Sequence, residues 1–139
     1  MSLYVLDTDI LSLYRHGHAE VVRHTLTHPS DALATTVITI EEQLSGWYTL
    51  LRRTRNVTEM AHVYDRLADT VAFLSSVRIL SFTQPAITHY EQLHSLKLRM
   101  GTMDLRIAAI TLAHNATLVT RNVQDFQLVP DLQIENWTM

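Results

Sequence analysis

The sequence predicts an α/β domain, a mostly parallel central sheet of four or five strands flanked by helices, with a helical hairpin added. Three observations lead there. Short apolar runs rich in strand formers alternate with longer segments of helical periodicity, the pattern of strand–helix–strand units. Only three glycines and three prolines occur in 139 residues, without repeat or low-complexity tract, so residues 1–139 read as one domain. The 47% hydrophobic and 18% charged residues can close a core, because a chain of this length hides roughly 68% of its unfolded surface.

Taken in order, Leu3-Tyr4-Val5-Leu6 is a strand that stops at the polar triplet Asp7-Thr8-Asp9, and Ile10 to Tyr14 is helical. Ala19 to His28 forms a second helix, with Val21, Val22 and Leu26 at helical spacing and Pro29 closing it. Ala32 to Ile38 reads as a strand. Thr39-Ile40-Glu41-Glu42 opens a helix to about Arg55, and Val57 to Ser76 forms another, with Met60, Val63, Tyr64, Leu67, Val71 and Leu74 on its apolar stripe. These two make the hairpin. Val77 to Phe82 is strand-like, Pro85 to Met100 helical with proline near its first turn, and Gly101 precedes a helix from about Met103 to His114. Ala116 to Thr120 is a fourth strand and Leu132 to Glu135 a weaker fifth.

In open parallel sheets, ligands bind outside the carboxyl ends of the strands, and carboxylates gather there in this sequence. Asp7 and Asp9 follow the first strand, Glu42 the second and Asp125 the fourth, while Asp104 opens the helix before the fourth. Such acids repel one another unless protons or cations intervene, and an oxygen-only set favours Mg²⁺ or Mn²⁺ over zinc. Each has a structural alternative. Thr39 and Glu42 match a capping box, Asp104 suits a helix macrodipole, and Asp9, Asn122 or Asp125 could cap helices.

Other chemistries are excluded or weak. Zero cysteines remove disulfides, thiolate metal sites and cysteine nucleophiles together. Eight histidines fall into no ligand spacing, and no glycine-rich phosphate loop or serine elbow is present. A net charge of −3 excludes an overall positive field but not a local patch such as Arg52, Arg53 and Arg55. The N-terminus lacks a basic leader and no run approaches a membrane span, so a cytoplasmic, membrane-free protein is expected.

Four segments carry a resemblance: Leu6-Asp7-Thr8-Asp9-Ile10-Leu11, Ile38-Thr39-Ile40-Glu41-Glu42-Gln43-Leu44-Ser45-Gly46, Gly101-Thr102-Met103-Asp104-Leu105-Arg106-Ile107-Ala108-Ala109, and Leu118-Val119-Thr120-Arg121-Asn122-Val123-Gln124-Asp125-Phe126. Together they resemble the PIN-domain nucleases of the VapC toxin type. The resemblance implies the PIN-like three-layer fold and an endoribonuclease dependent on Mg²⁺ or Mn²⁺. It further implies a cognate antitoxin and a homodimer. Carried over, Asp7, Glu42 and Asp104 match the metal-binding acids, with Glu42 preferred to Glu41 because it stands four residues before Gly46. The fourth acid falls at Asn122 or Asp125, and Asp125 is favoured because Asn122 could serve only as a neutral or orienting group. Asp9 stands where the family commonly has asparagine, as a further ligand or a cap, and Thr120 matches a supporting position. Arg15, Arg52, Arg53, Arg99 and Arg121 are candidates to hold RNA. Two rival readings remain: a non-catalytic module of the same fold, and a haloacid-dehalogenase-like phosphatase suggested by Asp7-Thr8-Asp9. The latter requires a lysine well before its late acids, whereas the only lysine, Lys97, lies seven residues before Asp104.

Overall fold

The computed structural model describes residues 2–139. Five strands form one sheet: β1 (Tyr4–Leu6), β2 (Leu33–Thr36), β3 (Ile79–Leu80), β4 (Thr117–Val119) and β5 (Gln133–Glu135). Their order is β3-β2-β1-β4-β5 and every neighbouring pair is parallel. The chain builds outward from β1 to β2 and β3, then returns to lay β4 and β5 on the other side. The β1–β4 junction is therefore the topological switch point, where the crevice of an open α/β sheet lies.

Among the described residues seven α-helices complete the fold, α1 (Thr8–Arg15), α2 (Ala19–Leu26), α3 (Val37–Arg53), α4 (Val57–Leu74), α5 (Gln84–Ser95), α6 (Thr102–Ala113) and the short α7 (Val123–Phe126), with a 3₁₀ turn at Ser30–Ala32 before β2. Successive strand side chains point to opposite faces, and the core divides accordingly. Val5 and Leu118 join Ala34, Leu105, Ile107, Ala108, Ile110 and Phe126 in one apolar cluster. Leu6 and Val119 join Ile10, Leu11, Val21, Leu74 and Trp137 in the other. Six residues of α6 are buried, the environment expected of a helix apolar around most of its circumference. Helix α1 ends in a Schellman motif at Gly17 (φ 79°), where Gly17 N–H donates to Tyr14 and His18 N–H to Leu13.

Three boundaries differ from the sequence reading. β2 stops at Thr36, and Thr36 rather than Thr39 caps α3, its Oγ1 accepting from the Thr39 amide at 3.2 Å. Glu42 thus lies beyond the first turn and is free of capping duty. Asp7 rather than Asp9 caps α1, accepting from the Ile10 amide at 2.9 Å. Helix α5 ends at Ser95, with Lys97 in the left-handed region beyond it (φ 53°). The α3–α4 hairpin is present, yet only Thr70 and Leu74 of α4 are buried, while Met60, Tyr64 and Val71 are exposed. Among the described residues no helix is long and apolar enough to cross a membrane.

Candidate active site

At the switch point β1 delivers Asp7 directly into α1. Its carboxylate is almost wholly buried, because the first turn of α1 and the end of β4 close over it. Burial is the largest influence on this group and pushes its pKa up to about 6. The Thr120 hydroxyl and the Ile10 amide act the other way, and the charges of Asp9 and Asp104 add to the rise. Asp104, in the first turn of α6, is also raised, by burial first and then by Glu42 and Asp125. The fold therefore brings four separated carboxylates, Asp7, Glu42, Asp104 and Asp125, near enough for their charges to be felt.

Hydroxyl and amide groups fix the orientation of these acids. Thr8 Oγ1 donates to Glu42 Oε1 at 2.6 Å and lies 3.0 Å from Thr39 Oγ1. A hydroxyl has one hydrogen, so Thr39 donates to Thr8 and Thr8 to Glu42. On the opposite side, the fully buried Thr120 accepts from the Asn122 amide at 2.9 Å. Asn122 Nδ2 in turn donates to Asp125 Oδ2 at 3.1 Å. Asn122 thus holds Asp125, whose charge, after that of Glu42, helps to raise Asp104. Thr8 escaped the sequence reading, which gave Thr39 only a capping role, because their effect on Glu42 exists only once α3 crosses α1. Thr8's position between two acids was the one available sign.

The remaining candidates lie at varied distances. Asp9 turns outward into an ion pair with Arg121, Nε at 2.5 Å and Nη2 at 3.2 Å. Arg15 lines a cleft between α1, α3 and α4. Arg52 and Arg53 sit exposed at the end of α3, Arg53 on a groove at the hairpin tip, and Arg99 is exposed between α5 and α6. Among the described residues none of these three forms an ion pair with the acids.

The acid set fits a hard cation. It is oxygen-only, partly desolvated and strained by its own charge, so a positive ion would relieve what protons otherwise must. Among the described residues no group of three or more His, Cys, Asp or Glu side chains is placed to hold a metal ion by itself. An open arrangement suits Mg²⁺ or Mn²⁺, which bind through a few carboxylates and keep several waters.

Residues 4–132 match the PIN domain family. The chain belongs to the PIN-domain family. It is 28% identical to Ribonuclease VapC2 of Rickettsia felis, over 97% of this chain and 98% of that one. It is 25% identical to the tRNA(fMet)-specific endonuclease VapC of Salmonella typhimurium, over 99% of both. Among solved structures, VapBC2 from Rickettsia felis bound to a promoter DNA fragment superposes with a TM-score of 0.68 at 27% identity, covering 97% of this PIN domain and 98% of that chain.

Proposed function

We propose that this PIN-domain protein is a divalent-metal-dependent endoribonuclease, the toxin of a toxin–antitoxin pair. The observation that carries the reading is the drawing of Asp7, Glu42, Asp104 and Asp125 to the switch point, where Asp7 is pushed up to about 6 and Asp104 is raised by Glu42 and Asp125. VapC relatives named as a ribonuclease and an endonuclease, covered along their whole length, support RNA as the substrate.

These four acids would hold Mg²⁺ or Mn²⁺. When bound, the ion supplies an acidified water and positive charge beside the phosphodiester. The chain's own residues supply order. Thr39 and Thr8 hold the Glu42 carboxylate, the Ile10 amide holds Asp7, and Asn122 holds Asp125. Pre-set carboxylates lower the reorganisation needed when substrate arrives.

A cognate antitoxin would cover the exposed apolar face of the hairpin, where Tyr48, Leu50, Met60, Tyr64 and Val71 stand in solvent. VapBC assemblies among the similar structures support such a partner. A homodimer in the cytoplasm remains part of the reading, and a monomer by light scattering at micromolar concentration would remove the dimer. The test of activity is incubation of antitoxin-free protein with total cellular RNA in EDTA, Mg²⁺ or Mn²⁺, with ends mapped by sequencing. Discrete metal-dependent cuts, absent in folded Asp7→Asn, are expected; uncut RNA with every metal would overturn the proposal.

A further inference from the structure

Beside the acid cluster lies a second cleft, with two arginines set among apolar side chains, that the four carboxylates do not explain. It measures about 220 Å³ and is lined by Arg15, His16, Gln43, Trp47, Arg66 and Phe73, among others. Gln43 and Trp47 also line a hollow that contains Thr8 and Glu42. The two hollows therefore share a wall, and Glu42 and Trp47 are only about 7.5 Å apart along the α3 axis.

The cleft is built to hold a guanidinium still. Arg15 Nη1 donates to Thr70 Oγ1 at 3.0 Å, and the guanidinium carbon lies 5.2 Å from the Phe73 ring centroid. Thr70 is fully buried and also accepts from Trp47 Nε1 at 2.8 Å, so one hydroxyl fixes both side chains. Among the described residues Arg15 makes only that one bond with its five guanidinium N–H donors, leaving a planar fork for another acceptor. Among the described residues neither Arg15 nor Arg66 has a carboxylate partner, unlike Arg23 and Arg121. Two arginines without carboxylate partners in one concavity, in a chain of net charge −3, leave local positive charge for an anion to neutralise.

We infer that this cleft binds a backbone phosphate of the RNA strand, neighbouring the phosphodiester that lies at the acid cluster. The inference rests on the ribonuclease reading and adds the substrate's path to it. An RNA strand is favoured over an acidic protein segment because the cleft adjoins the hollow containing Glu42, so one strand can occupy both. Trp47, its indole N–H committed to Thr70, stands between them, and a basic groove interleaved with an aromatic ring is how single strands are gripped.

The test is fluorescence anisotropy of a short labelled single-stranded RNA in EDTA, where nothing is cut, titrated against salt. Arg15→Gln and Arg66→Gln are each expected to weaken binding about fivefold at low salt. Each should also lower the slope of log affinity against log salt by about 0.7. Arg66→Lys should restore the slope, and Arg23→Gln, on the exposed face of α2, should change neither quantity. Arg66 is exposed, so its variant stays informative even if Arg15→Gln fails to fold. Unchanged affinity and slope in folded Arg66→Gln, while the wild type binds and cuts RNA, would overturn the cleft and leave the ribonuclease reading standing. Loss of antitoxin binding in the same variant with RNA binding intact would also overturn it, and assign the cleft to an acidic protein segment. A wild type that neither binds nor cuts RNA would sink the ribonuclease reading itself.

Discussion

Asp7 does two things that oppose each other energetically. As N-cap of α1 it accepts from the Ile10 amide, which stabilises the helix; as a buried carboxylate facing Asp9 and Asp104 it resists ionisation. Its pKa rises from 3.8 to about 6, so the folded protein binds a proton that the unfolded chain has already lost in that window. Metal-free stability should therefore be greatest below about pH 4 with respect to this group, and fall as pH rises toward about 6. The full difference above that pH is up to about 3 kcal/mol. Asparagine caps as well as aspartate, so Asp7→Asn should raise the metal-free melting temperature at neutral pH by several degrees while abolishing metal-dependent cutting. Calorimetric melts at two pH values in EDTA check this. Thr8 acts through Glu42: Thr8→Val should weaken Mn²⁺ binding about tenfold, and Thr8→Ser should restore it.

At the scale of elements, the start of α3 shows where sequence reading works and where it stops. Thr35, Thr36, Val37, Ile38, Thr39 and Ile40 form a run rich in β-branched side chains whose local preference is extended, so a strand to Ile38 and a Thr39 cap were expected. Packing decides otherwise. Thr35 and Thr36 are fully buried in β2, Ile38 enters the core, and Thr36 takes the cap. Thr36→Ala should cost about 1 kcal/mol and lower the melting temperature by a few degrees. The stripe of α4 was legible as apolar but not as uncovered, because periodicity reports a face and not what lies against it. Alternation of strands and helices, by contrast, depends on local pattern alone, and all five strands lie where the apolar runs placed them.

For the whole molecule, the order of strands gathers scattered acids at one end of the sheet. Asp7, Glu42, Asp104 and Asp125 span most of the chain, and only the return of β4 beside β1 brings them to one end. The motifs offer the four acids only as an expectation; the Thr39–Thr8–Glu42 relay, the Asn122–Asp125 bond and the Asp9–Arg121 pair could not be read at all, since each joins elements distant in sequence or bent by a loop. The open hairpin face makes a prediction at the same scale. Met60→Asp should reduce capture by the cognate antitoxin at least tenfold in a pull-down, with RNA cutting by the free protein unchanged.

The central claim, that these carboxylates form a divalent-cation site, is tested most directly by calorimetric titration of antitoxin-free protein with Mn²⁺ from about pH 5 to about pH 8. Metal must displace the proton held by Asp7, so affinity should rise up to about tenfold per pH unit below about 6 and level off above it. Folded Asp104→Asn should bind far more weakly throughout. Affinity independent of pH, or undiminished in Asp104→Asn, would contradict the account.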